Sequence, residues 1–222
     1  MAINVAIDGP AGAGKSSVAK IVSKKLGYIY VDTGALYRTV GLYSIRSGVD
    51  TKNPQAVEAT LPNIKVELKF VDDTQHVFLN GEDVSEAIRT PEASMGASNV
   101  SSIPAVRAFL FDLQRDIAKN NNCIMDGRDI GTVVLPNAQV KIFLTTSPES
   151  RAQRRYKELI EKGEKVDFQD VLDDINKRDY QDTHREIAPL KQAEDAIFFD
   201  NGEYNLEEGA EKIIEIIRNK VG

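Results

Sequence analysis

Gly9-Pro10-Ala11-Gly12-Ala13-Gly14-Lys15-Ser16 stands between an apolar alternation, Ile3, Val5 and Ile7, and a helical stripe, Val18, Ala19, Ile21, Val22 and Leu26. Glycine, lysine and hydroxyl at the spacing G-x-x-x-x-G-K-[ST], flanked by strand and helix, predict a cradle for a phosphate. Backbone N–H groups and the positive end of the helix surround one anion, Lys15 reaches the β- and γ-phosphates, and the Ser16 hydroxyl serves as a Mg²⁺ ligand. Glycine at 9, 12 and 14 gives the turn its freedom and lets a ligand approach the backbone. The loop does not say whether the phosphate is hydrolysed or handed to a second molecule.

The arginines bear on that choice. Arg151, Arg154 and Arg155 lie in a helical pattern that Lys162-Gly163-Glu164-Lys165 interrupts. A basic helix followed by a flexible break is what a lid closing over a polyphosphate needs, since transfer requires positive charge around the phosphoryl oxygens and exclusion of water. Farther on, the apolar stripe Phe168, Val171 and Ile175 continues in steps of three and four onto Arg178, Asp182 and Arg185. A solvated face would set its charges opposite the stripe; here they fall in line with it, so the helix is expected to project charge into a cleft. Asn176-Lys177-Arg178-Asp179 fits the N-K-x-D pattern of guanine recognition, but it continues this helix instead of following a strand, so a switch protein is disfavoured. Two further segments, Val31-Asp32-Thr33-Gly34-Ala35-Leu36-Tyr37-Arg38 and Met125-Asp126-Gly127-Arg128-Asp129-Ile130-Gly131-Thr132, end strands and set arginine beside glycine, where parallel sheets bind ligands. Arg38, Arg107, Arg128, Arg178 and Arg185 are candidates for a second anion site, which a transferase needs and a hydrolase does not.

Elements able to position these groups are legible. Apolar strand signals at 3–7, 28–32, 123–126, 139–145 and 196–200 alternate with helical patterns, which predicts an α/β fold with a parallel sheet flanked by helices. Ile64, Val66, Leu68 and Phe70 change to period two, then come Asp72-Asp73, a run at Val77-Phe78-Leu79 and the hairpin signal Asn80-Gly81. They predict a small antiparallel insert at about 62–93 that adds little to the main core. Pro104 opens a helix that stops at Asn120, and Thr146-Ser147-Pro148-Glu149 reads as a capping box.

The chain has 222 residues, 28 basic against 34 acidic, so its net charge of −6 supplies no general attraction for nucleic acid or anionic membrane. Its one cysteine, Cys123, sits in an apolar run and is expected to be a buried, inert thiol; two histidines and one cysteine make no usual metal cluster. No secretory pattern or long apolar run is present, so a cytoplasmic protein is expected.

Taken together, GPAGAGKSS, VDTGALYR, ASNVSSIPAVR, DGRDIGT, RAQRR and the spaced Arg178, Asp182 and Arg185 resemble the bacterial cytidylate kinase family from end to end. The resemblance implies a P-loop three-layer fold over residues 1–222, with the insert 62–93 on the monophosphate side and a short lid at about 151–166. It implies transfer of the γ-phosphoryl group of Mg-ATP to CMP or dCMP, by a monomer acting on small nucleotides. Residue by residue, it assigns Gly9, Pro10, Ala11, Gly12, Ala13, Gly14, Lys15, Ser16 and Ser17, with Arg151 and Arg155, to ATP, and Ser16 to Mg²⁺. Arg38 and Arg128 grip the acceptor phosphate; Ser98, Arg107 and Asp129 read the cytosine edge; Arg178 and Asp182 hold phosphate and ribose, with Arg185 also near the nucleotide, and Thr33 and Tyr37 join the substrate-binding set. Lys15, Arg128, Arg154 and Arg178 neutralise developing charge. The alternatives are another acceptor such as UMP or AMP, a nucleotide-dependent switch, and a binding module without turnover.

Overall fold

A computed structural model describes residues 2–71 and 74–222. The chain begins with strand β1 (Asn4–Asp8) and helix α1 (Lys15–Leu26), then runs through β2 (Ile29–Asp32), α2 (Thr33–Arg46), α3 (Pro54–Thr60), β3 (Val66–Val71), β4 (Thr74–Leu79), β5 (Glu82–Asp83), α4 (Pro91–Val100) and α5 (Pro104–Asn120). It returns through β6 (Cys123–Gly127), a π-helical turn at Ile130–Val134, β7 (Val140–Thr145), α6 (Pro148–Glu161), α7 (Phe168–His184), β8 (Ile197–Asp200) and α8 (Leu206–Val221). Two units result: residues up to Tyr28 together with Asn122–Gly222, and Ile29–Asn121.

In the first unit β6, β1, β7 and β8 lie side by side in that order, all parallel. Helices α1 and α8 pack on these strands and on each other. The strands are apolar on both faces, as a covered parallel sheet requires: Val5, Ile7, Ile124, Ile142 and Leu144 are fully buried, as are Val18, Val22 and Ile213 of the helices. Register sets the site. Ile7 stands opposite Asp126 and Asp8 opposite Gly127, so β1 and β6 release their loops at the same level. Cys123 is buried, and burial pushes its thiol up to about 12, in agreement with an inert role.

Helix ends follow local chemistry. Ser147, rather than Thr146, caps α6 by accepting from the Ser150 N–H, so the expected capping box is displaced by one residue and reduced to a single bond. Asn205 and Glu208 make a true capping box at α8. Helix α7 ends at His184, with Arg185 as its C-cap, where the backbone turns extended.

The second unit joins β3, β4 and β5, antiparallel, to helices α2 to α5. Asn80 and Gly81, with φ of 51° and 88°, form the two-residue turn between β4 and β5, as their sequence signal predicts. Asp72-Asp73, read in sequence as a break between β3 and β4, lie outside the described residues. Val77, Leu79, Val84 and Ile88 share one buried cluster with Leu36 and Val40 of α2 and Leu110 of α5, so this segment helps build the core of its own unit. Strand β3 does fray toward solvent, where Phe70 is exposed.

Helices α2 and α4 approach unusually closely through Gly41 and Gly96. A methyl group on Gly41 would lie 2.9 Å from the Gly96 carbonyl carbon and 3.0 Å from the Ala97 nitrogen, both backbone atoms that cannot turn aside. Gly41→Ala should therefore lower unfolding free energy by about 1–3 kcal/mol, the usual cost of overpacking. Urea unfolding monitored by circular dichroism measures this; a midpoint equal to that of the unsubstituted chain would show that the helices have room to part.

Candidate active site

The phosphate loop leaves β1 at Asp8 and enters α1 at Lys15. Gly9 is forced: a methyl group there would sit 1.9 Å from the Leu144 carbonyl oxygen. Gly14, at φ 95°, is the left-handed cap of α1, and a methyl group on it would meet the Asn201 amide nitrogen at 2.7 Å. Among the described residues no side chain caps this helix, and no carboxylate occupies its first turn. Its leading N–H groups are thereby left for an anion. The loop is held from behind, where the Asn201 amide donates to the Ala13 carbonyl at 3.0 Å.

Lys15 is buried and folds back to donate to the Pro10 carbonyl at 2.8 Å. Burial, then the Arg128 charge, pull its ammonium down to about 7, against the opposing pull of Asp126, Asp8 and Asp182. Ser16 donates to the Asp126 carboxylate at 2.7 Å. Hydroxyl and carboxylate together form a pair of hard oxygen donors, the set that suits Mg²⁺ beside a phosphate. Asp126 was not among the residues picked out from the sequence; its signal was an acid at the end of the strand that neighbours the loop.

Immediately after β6, Arg128 donates from Nε to Asp182 at 2.8 Å and Asp129 accepts from Arg185 at 3.3 Å. Burial works against the Arg128 charge, but Asp182, Asp126 and Asp8 outweigh it and hold the guanidinium above its ordinary value. Burial likewise pushes Asp182 up, yet Arg128, with Arg178 and Arg185 behind it, keeps that carboxyl below its ordinary value. The aligned charges of α7 thus do face inward. Asp182 is buried and Arg178 acts on it, while Arg185 reaches the same cluster from beyond the helix, steadied by a 2.7 Å bond to the Ala188 carbonyl. Asp8 lies among them with both oxygens on backbone N–H groups, and burial raises it to about 6 despite those bonds.

The arginines of α6 divide. Arg151 is almost wholly buried and is committed to the Thr146 carbonyl, the Ala11 carbonyl and both oxygens of Asp179. It braces the phosphate loop from below, a role not foreseen in the sequence. Arg154 is exposed and reaches the Asn201 carbonyl at 3.4 Å, while Arg155 pairs with Glu158 on its own helix. Helices α6 and α7 share a small apolar cluster of Ala152, Leu159 and Val171 edged by Tyr156 and Phe168. Asn176 to Asp179 lies within α7, and Asp179 is taken by Arg151, which removes the guanine-recognition reading.

The expected acceptor residues are divided between the units. Arg128, Asp129, Arg178, Asp182 and Arg185 belong to the first, and Thr33, Tyr37, Arg38, Ser98 and Arg107 to the second. Within the second unit, Asp32 ends β2, caps α2 through the Ala35 N–H and pairs with Arg38 at 2.7 Å. Gln75 fixes the Asp32 backbone by accepting from its N–H at 2.9 Å. Thr33 and Tyr37 are buried, and Arg107 lies 5.8 Å from the Tyr37 ring centre while donating to the Ser101 carbonyl at 3.3 Å. Ser98 is half-buried on α4.

A strand, an uncapped helix start and a glycine loop carrying Lys15 and Ser16 define a P-loop fold. Among solved structures, a protein from Eubacterium ventriosum matches at a TM-score of 0.52 with 14% identity, covering 99% of each chain, a likeness of fold alone. The family model described as cytidylate kinase matches residues 5–219. Cytidylate kinase from Caldicellulosiruptor saccharolyticus is 50% identical over 220 residues, covering 99% of this chain and 97% of that one. Cytidylate kinase from Thermosipho africanus is also 50% identical over 220 residues, covering 99% and 96%. The chain belongs to the cytidylate kinase family of enzymes.

Lys15 supplies a direct electrostatic test. Its ammonium is depressed in the free protein, and a polyphosphate in the loop would raise it again, so binding of a polyphosphate probe such as Mg-ATP at pH 8 should take up protons, and its affinity should fall as pH rises above about 7. Calorimetry in buffers of different ionisation enthalpy reads the uptake. Lys15→Arg, which does not titrate, should show none; buffer-independent heats for the unsubstituted chain would contradict the assignment.

Proposed function

We propose that this enzyme transfers the γ-phosphoryl group of Mg-ATP to CMP or dCMP, giving ADP and CDP or dCDP. The observation that carries the reading is the concentration of charge where β1 and β6 end: buried Lys15, Asp126 and Asp182 with half-buried Arg128, around an uncapped helix start. One phosphate site would need only the loop and Lys15. The second group of arginines argues for an acceptor that is itself an anion.

In this reading the loop from Gly9 to Ser17 holds the ATP phosphates. Mg²⁺ would be held by Ser16 and Asp126 and would neutralise charge on the phosphates. Arg128 and Arg178 take the acceptor phosphate. Asp129 accepts from an exocyclic amine of the base, since an ionised carboxylate offers only acceptors. No residue need act as a base, because the acceptor oxygen is already ionised. Catalysis comes from alignment and preorganised positive charge, each well-placed donor contributing about 2.7–4 kcal/mol in comparable sites. Residues 151–166 form a lid in this proposal, with Arg154, exposed beside the loop, as its phosphate-facing group.

The test is a coupled assay with Mg-ATP against CMP, dCMP, UMP and AMP. CMP should exceed UMP in kcat/KM by well over the roughly 10–200-fold that a hydrophobic pocket achieves, because a mismatched base leaves polar groups unpaired. Asp129→Asn should narrow the ratio. Equal use of CMP and UMP would overturn the acceptor assignment, and phosphate release without any acceptor would favour a switch.

A further inference from the structure

We propose that Asp8 is a positioning residue that aims Arg128 and Asp129 at the acceptor nucleotide, an inference that rests on the acceptor reading just given. Asp8 is the last residue of β1, buried, and precedes the phosphate loop. Its backbone stands opposite Gly127 in the β1–β6 ladder. Its side chain reaches past that point: Oδ1 accepts from the Ile130 N–H and Oδ2 from the Gly131 N–H, each at 2.7 Å. One residue therefore fixes the β6 chain on both sides of a span that contains just Arg128 and Asp129.

The far anchor is stiff. The Asp129 carbonyl accepts from Val133 and Val134 at 2.9 and 3.2 Å, closing the π-helical turn that starts at Ile130. Gly131 is pressed from two sides, since a methyl group on it would lie 3.1 Å from the Lys141 stem and 3.3 Å from Asp8 Oδ2. With both ends held, the Arg128 and Asp129 side chains leave the backbone in fixed directions, Arg128 onto Asp182 and Asp129 onto Arg185. A carboxylate is required for the clamp: two consecutive N–H donors need two acceptor oxygens, whereas an asparagine offers one oxygen and turns an NH₂ toward the second N–H. The buried carboxyl is a cost to the fold, which fits a group kept for the geometry it imposes.

The experiment compares the unsubstituted full chain with Asp8→Asn and, separately, Gly131→Ala, which crowds the same clamp from the opposite side without altering Asp8. Steady-state constants are measured for Mg-ATP, CMP and UMP, with melting temperatures alongside. Both variants should keep KM for ATP within about twofold while kcat/KM for CMP falls about 10–100-fold, the scale of a small misplacement of reacting groups, and the CMP-to-UMP ratio contracts. A lowered melting temperature with CMP constants and ratio unchanged would overturn the proposal, leaving Asp8 a purely structural group. So would equal losses toward ATP and CMP, which would place its action on the phosphate loop. Should Asp8→Asn not fold, Gly131→Ala decides by the same readouts. Absence of CMP preference in the unsubstituted chain would instead remove the acceptor reading itself, a result that needs no variant.

Discussion

The level ending of two adjacent parallel strands governs the rest of the first unit. With Ile7 opposite Asp126 and Asp8 opposite Gly127, the loop that carries Lys15 and the segment that carries Arg128 and Asp129 emerge side by side. Like charges are thereby forced together out of water. Lys15 loses proton affinity partly because Arg128 is its neighbour, and the carboxylates of Asp8, Asp126 and Asp182 only partly offset the burial. Apolar residues of similar volume would commonly be no less stable at such positions. The arrangement makes physical sense when a polyanion enters and supplies the missing negative charge.

The surroundings serve to keep the loop facing forward. Arg151 and Asn201 bind the carbonyls of Ala11 and Ala13, so the loop's acceptors are satisfied from behind while its donors remain in front. The same rear wall fixes two glycines: Leu144 excludes a side chain at Gly9 and Asn201 excludes one at Gly14. Among the described residues the buried Asn201 side-chain oxygen finds no hydrogen-bond partner, a cost of about 1–3 kcal/mol that the amide's hold on Ala13 helps to justify.

Sequence patterns revealed what depends on neighbouring residues and concealed what depends on distant ones. The phosphate loop was legible because all its parts lie within one strand, one turn and one helix. The Asn80-Gly81 turn was legible because left-handed backbone selects those residues. Asp8 and Asp126 were not: an acid at a strand end looks like any turn residue, and their roles come from partners 110 or more positions away, Ser16 for Asp126 and the Ile130–Gly131 backbone for Asp8. Arg151 is held by a backbone carbonyl of the loop and an acid on the next helix, partners that a helix pattern alone does not reveal. Arg185 fits the three-and-four stripe because it is the C-cap of α7: its φ is −63° and its N–H still donates to the Gln181 carbonyl, so its side chain leaves on the helical face and only the backbone beyond it turns extended.

Arg178 isolates the role of the inward charges toward an anionic acceptor, being half-buried beside Asp182 without carrying the Arg128 ion pair. Melting temperature should be measured for the unsubstituted chain and Arg178→Leu, each with and without CMP, alongside turnover. The variant should be as stable as the original chain or more so without ligand, and should lose activity. CMP at a hundredfold excess over Kd should stabilise the original chain by about 2.7 kcal/mol and the variant far less at the same concentration. Equal CMP-induced shifts with turnover retained would contradict the account and make Arg178 an ordinary surface charge.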